Sequence, residues 1–235
     1  MKDNLDIEYL TGKLTGETRP KAVGTKFDCA GQVLNNPGNT MICHIDRESD
    51  VYRSLVLAQD RLKSAPLAQA FTFLPPQSLH MTVFPGIIDH SRTQNRWPQH
   101  LPLNARIDDV TEDFSQNLNQ LKLPQKFTIK PINIFAGFCV SVQGADNAAE
   151  TDLRMARDIL KKHTHIQDPE HDNYKFHITF AYLLHWLSAD EAQRVVDYSN
   201  EIFDTCLSSI DQIELGPVEF CTFDTMHHFE TKTLI

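Results

Sequence analysis

The feature that constrains this chain most is a short pattern written twice, "SLHMTVF" at Ser78–Phe84 and "KFHITFA" at Lys175–Ala181. In each, a histidine and a threonine two residues apart stand among apolar side chains. Side chains alternate across a strand, so His80 and Thr82 share one face while Leu79, Met81 and Val83 share the other. The same count puts Lys175, His177 and Thr179 together, with Phe176, Ile178 and Phe180 beneath them. Each run therefore reads as a strand with a core side and a polar side. Two such polar sides facing each other across a cleft would gather two imidazoles and two hydroxyls around one small volume.

The rest of the chain supplies the elements such strands need. Residues 1–39 lack periodicity and end in the turn signal "NNPGNT", so they are expected to be an extension packed on a single domain spanning 40–235. "TMICHI" reads as a strand. "SDVYRSLVLAQDRLKS" places Val51, Leu55, Ala58 and Leu62 at helical spacing behind Ser49 or Asp50 as N-cap. Further helices are expected from "DDVTEDFSQNLNQL" and "DNAAETDLRMARDILKK", and from a capping box of Ser188 with Glu191. Strands are expected at "AFTFLP", "KFTIKPINIF", "GFCVSVQG", "YKFHITFAYLL", "IDQIELG" and "VEFCTF". Antiparallel strands with helices outside them make an α+β fold. One connection stands out: over twenty residues between Phe84 and Asp108, rich in Pro, Asn and Arg, leave directly from the first His-x-Thr strand, where they could cover whatever it binds.

Composition narrows the function. The net charge of −9 argues against a protein that grips long double-stranded nucleic acid, which needs a basic face, but leaves room for a local positive pocket. No apolar run approaches bilayer length, and "MKDNLDIEYLTGKLTG" is too polar for a signal peptide, so a cytoplasmic monomer without membrane contact is expected. The five cysteines include no Cys-x-x-Cys pair and read as reduced thiols.

Two imidazoles and two hydroxyls suit phosphodiester cleavage. One histidine can take a proton from water while a protonated partner gives one to the departing oxygen, and threonine hydroxyls can hold the non-bridging oxygens. No metal or other cofactor is required by that scheme. If the Lys175 ammonium reached the cleft it would oppose protonation of His177 and make His177 the base. The bland alternative is that each imidazole satisfies backbone groups at a sheet edge.

The pair "HMTV" and "HITF", separated by 177 − 80 = 97 residues, resembles the paired signatures of the 2H phosphoesterase superfamily. The segments "KFDCAGQVLNNPGNTMICHI", "RTQNRWPQHLPL" and "GPVEFCTFDTMHHF" are similar to an uncharacterised branch of it, a domain of unknown function related to RNA 2′,3′-cyclic phosphodiesterases. The resemblance runs from about Lys26 to Phe229. It implies a bilobal fold, two antiparallel sheets around a central cleft with pseudo-twofold symmetry, and metal-independent chemistry. It also implies His80 and His177 as the acid–base pair, Thr82 and Thr179 as phosphate ligands, and a cyclic phosphate of a nucleotide or RNA end as substrate. Other members of the superfamily join RNA ends as 2′-5′ ligases, or bind nucleotides without turnover.

Further residues carry weaker signals. Arg92, Arg96 and Trp97 in the long connection could clamp a second phosphate or stack on a base, or simply anchor the loop. His163, His165 and His171 raise a metal site, against a plain polar connection. His44, His227 and His228 could face the cleft or be ordinary sheet residues.

Overall fold

The structure, a computed structural model, describes residues 2–235. In chain order its strands are β1 (Gly38–His44), β2 (Phe71–Phe73), β3 (His80–Ile88), β4 (Phe127–Phe135), β5 (Cys139–Gly144), β6 (His177–Thr179), β7 (Ala181–Leu183), β8 (Ile213–Leu215), β9 (Glu219–Thr225) and β10 (His228–Leu234). Its helices are α1 (Lys2–Leu10), α2 (Asp50–Ser64), α3 (Ile107–Leu118), α4 (Asn147–Thr164) and α5 (Ala189–Cys206). No helix among the described residues is long and apolar enough to cross a membrane.

Eight strands form one antiparallel sheet in the order β10-β9-β1-β3-β6-β5-β4-β8, and β2 pairs with β7 in a small second sheet. The large sheet is two four-stranded halves that meet where β3 lies beside β6. That seam has a single register pair, Met81 with Ile178, the central residues of the two His-x-Thr triplets. Both side chains are fully buried. The approximate twofold relation implied by the resemblance therefore passes through the seam, and the two motif strands are direct neighbours.

The helices pack on one face because their apolar stripes have nowhere else to go. Leu55, Ala58 and Leu62 of α2, Val110, Phe114 and Leu118 of α3, and Leu153, Ala156 and Leu160 of α4 join Met81, Val83, Val140 and Ile178 in the main core. Truncating a fully buried ring such as Phe114 to alanine costs about 3–5 kcal/mol by the usual core scale. Ser49 caps α2, and the capping box of Ser188 and Glu191 starts α5, as the sequence indicates.

Some elements differ from expectation. Helix α1 lies inside the unpatterned N-terminal stretch; its Leu10 is buried against α5, and the Asp6 carboxylate accepts the Ala136 backbone N–H. Strand β3 continues through Pro85 to Ile88 instead of giving way to loop after Phe84. A close approach permits this: a Cβ at Gly86 would lie 2.2 Å from Asn39 Oδ1, so only glycine lets β3 run on beside β1 there. The expected strand over Tyr174–Leu184 is split at Phe180. The N–H groups of Phe180 and Ala181 both donate to Phe138 O, while Phe180 O accepts from Leu74 N–H and Gln59 Nε2, so the chain leaves the large sheet there and enters the small one. Strand β10 adds an edge that the sequence reading left out.

Candidate active site

The four motif side chains point away from the core because their neighbours point into it. Extending the antiparallel register one residue either side of Met81–Ile178 sets His80 opposite Thr179 and Thr82 opposite His177. Each imidazole thus faces the other motif's hydroxyl, and the two imidazoles lie on a diagonal. All four line one cavity of about 180 Å³. Its remaining walls include Lys26, Tyr174, Tyr182, Phe223, Met226 and Phe229.

Both rings are held alike. His80 Nδ1 lies 2.7 Å from Ser78 O, and His177 Nδ1 lies 2.8 Å from Lys175 O, in each case the carbonyl two residues upstream. A carbonyl only accepts, so Nδ1 carries the proton and Nε2 is left as the free lone pair. Burial pushes His80 down to about 4, against the opposing pull of the Ser78 carbonyl, with His44, His177 and Lys26 adding positive charge. Burial and Lys26 also lower His177, opposed by the Lys175 carbonyl. Both imidazoles are therefore neutral at pH 7, ready to accept protons.

Each motif strand has a second neighbour. His80 pairs with His44 on β1, and His177 pairs with Ser141 on β5. The His44 ring and backbone N–H groups donate to Glu219, with Nδ1 3.0 Å from the carboxylate, and Thr231 also donates to it. Burial alone would raise the Glu219 carboxyl, but those hydrogen bonds hold it down to about 2. The Phe229 ring meets the His80 ring edge-on at 4.4 Å. Burial pushes the Tyr174 phenol, which lines the same cavity as Thr82, up to about 12, opposed by Arg157 and the Thr82 side chain. The fully buried Arg157 lies 4.0 Å from the Tyr174 ring centroid and donates to Val83 O and His171 O. Burial lowers it only to about 10, so it remains a cation beneath the site at neutral pH.

Other candidates go elsewhere. The Lys175 side chain is exposed and lines a separate groove with Lys130 and Arg154. Only its carbonyl touches His177, and that contact favours the protonated ring, opposite in sign to the effect expected of its ammonium. Arg92 is paired with Asp89, donates to Leu103 O and Ala105 O, and stacks on Trp97 at 4.5 Å. Trp97 is buried, its indole N–H on Pro102 O, and Arg96 pairs with the buried Asp168. Arg92 and Trp97 knot the connection to itself and Arg96 ties it to the segment after α4; none lines the cavity, their donors being engaged by carbonyls and carboxylates of the fold.

The histidines of "KKHTHIQDPEH" do not converge. His171 bonds Asp158 at 2.7 Å, and His165 ends α4 in a left-handed turn. Among the described residues one set of metal-type donors clusters, His44, Glu219 and Cys221, with donor atoms within 4.8 Å of one another. Its carboxylate already accepts from His44 and Thr231, and burial raises the Cys221 thiol to about 12, so the set reads as a hydrogen-bond network around an ionised carboxylate beside a protonated thiol. Near the C-terminus Met226 and Phe229, rather than His227 or His228, line the cavity.

Sequence reading missed Lys26, Tyr174, Tyr182, Met226 and Phe229. Alternation from Thr179 assigns Tyr174 and Tyr182 to the core side with Phe176, Ile178 and Phe180, and nothing local singles out Lys26.

The profile of a family named 2H-phosphodiest, described as a domain of unknown function (DUF1868), matches residues 26–136, which include the first His-x-Thr motif. A solved structure, a conserved protein of unknown function from Agrobacterium tumefaciens, is 30% identical, covers 97% of this chain and 98% of its own, and superposes with a TM-score of 0.91. No curated protein matches the chain.

Proposed function

Since the chain belongs to the 2H phosphodiesterase-type family described as DUF1868, we propose that it hydrolyses a cyclic phosphodiester, a 2′,3′-cyclic nucleotide or RNA end, by acid–base catalysis between His80 and His177. The observation that carries this reading is the shared cavity in which the two imidazoles and two threonines alternate. The phosphorus sits between the diagonal rings. His80 Nε2 takes a proton from water as its oxygen attacks, and His177 Nε2–H gives one to the departing ribose oxygen. Thr82 and Thr179 donate to the non-bridging oxygens as charge builds on them.

The assignment of His80 as base rests on its surroundings. Its ring is pressed by Phe229 and has His44 beside it in addition to Lys26 and the partner imidazole, whereas His177 has Lys26 and His80. The incoming phosphodiester anion favours protonated His177, which supplies the acid. The cavity of about 180 Å³ is below the usual span for drug-sized ligands, which favours a mononucleotide or a single terminal nucleotide over a long strand.

Hydrolysis of a panel of 2′,3′-cyclic nucleotides in EDTA tests this. In the free enzyme His80 must be neutral and His177 protonated, so kcat/KM is expected to be bell-shaped, with an acid limb near pH 4 and a basic limb below 6.5. Nucleotide binding without turnover of any cyclic or linear phosphodiester would replace the hydrolase with a binding module.

A further inference from the structure

The cavity is framed by residues that the His-x-Thr motifs do not supply, and their charge is uneven. Among its lining residues Lys26 is the one with a permanent charge, and no carboxylate is present, although the chain holds 31 acidic residues. Lys26 has no ion-pair partner among the described residues. Its ammonium lies 3.1 Å from the Tyr182 hydroxyl and 4.7 Å from the centroid of that ring. A lysine resting on a neutral phenol keeps its charge uncompensated toward the cavity.

The position is built, although it falls in a stretch without periodicity. Lys26 N–H donates to Ala22 O at 2.9 Å, and Lys26 O accepts from Leu34 N–H at 2.9 Å. The next residue, Phe27, is fully buried in a cluster with Ile42, Leu74, Phe223, Met226 and Phe229, several of which also wall the cavity. Phe27 further bridges to Val23 and Val33. The segment before β1 is thus a wall of the site, and Lys26 is the charge it presents.

A phosphodiester brings one negative charge into a cavity walled in part by Leu74, Phe223, Met226 and Phe229, in a protein whose net charge is −9. At pH 7 the two neutral imidazoles and two hydroxyls offer no full charge to receive it. We infer that Lys26 is the substrate-binding cation of this site, leaving Tyr182 to pair with a non-bridging oxygen. This rests on the phosphodiesterase reading for the identity of the ligand. Lys26 also lowers both histidines, as a positive charge in the wall of their cavity does.

The test uses the full chain with Lys26→Ala, Lys26→Met, which keeps the aliphatic stem, and Lys26→Arg. With 2′,3′-cyclic AMP as substrate, the Ala and Met variants are expected to raise KM by about 10- to 100-fold with a smaller fall in kcat. Both limbs of the pH profile should move upward, and Lys26→Arg should recover most of the KM. In parallel, inorganic phosphate is titrated against the ring protons of His80 and His177 by NMR, which needs no turnover. Phosphate should shift both rings in wild type and bind at least tenfold more weakly to Lys26→Met. If wild type turns over no cyclic nucleotide but this phosphate difference holds, the hydrolase reading fails and the Lys26 assignment stands. A Lys26→Met protein that melts like wild type and keeps its KM or its phosphate affinity within twofold overturns the assignment. So does a wild type whose histidine rings ignore phosphate.

Discussion

The two halves of the large sheet carry the same triplet in different company. In the first half, His80 begins a nine-residue strand, is crowded by Phe229, and neighbours the His44–Glu219 pair. In the second, His177 opens a three-residue strand, its cross-strand neighbour is Ser141, and its ring bond to Lys175 O is solvent-exposed. The backbone contact of each ring is nearly the same, 2.7 and 2.8 Å to the carbonyl two residues back. Two chemically identical groups in one pseudosymmetric site can do opposite jobs only if their surroundings differ. Here the difference lies in the packing around the motifs, since both triplets carry the same His-x-Thr pattern.

The strongest way to break the comparison is to remove either ring. His80→Ala and His177→Ala should each lower kcat on a 2′,3′-cyclic nucleotide by roughly 10²–10⁴-fold, and the double variant should lose little more than the worse single one. A variant retaining near-wild-type turnover would dissolve the pair.

Acid stability sharpens the contrast next. His80 falls from the ordinary 6.5 to about 4 in the folded protein, so protonation favours the unfolded chain. Its contribution is complete above pH 6.5 and is lost as the pH drops toward 4, a loss of about 3 kcal/mol at 1.36 kcal/mol per unit. His80→Gln should flatten this part of the stability curve in urea titrations between pH 7 and 4. Equal acid sensitivity in wild type and variant would show that the ring is not withheld from water.

The hydroxyls come third. Thr179→Val should lower kcat roughly 10²-fold, the scale of one lost donor to a developing oxyanion. Tyr174 lines the same cavity as Thr82, so Tyr174→Phe should change kcat in the same direction by a smaller factor. Single-turnover rates separate this from binding.

The smallest expected effect is the most specific. Phe229→Ala should let water reach His80 and raise the acid limb of kcat/KM by about one unit, leaving the basic limb in place. Movement of both limbs together would mean that Phe229 acts on the cavity as a whole.

Much of this molecule is legible residue by residue. Ser49 and the Ser188–Glu191 box mark helix starts because capping is a contact over three residues. Met81 and Ile178 are recognisable as inward because strand alternation is local. The loop residues Arg92, Arg96 and Trp97 stay open between two readings for the converse reason. Guanidinium and indole groups have the same composition whether they clamp a ligand or tie a loop, and only the positions of Leu103 O, Ala105 O, Pro102 O and Asp168 distinguish the two. Helix α1 and strand β10 escaped because each draws its stability from the surface it docks on rather than from its own pattern.

The chain's own order of residues dictated that each motif would form a strand with chemistry on one side and grease on the other, since a period of two is set by backbone geometry within a few residues. Folding alone could place those strands antiparallel with Met81 against Ile178, bring Lys26 in from a patternless segment, and press a phenylalanine on one imidazole and not on the other. Register and burial depend on partners far away along the chain, and a local pattern carries no record of which partner arrives.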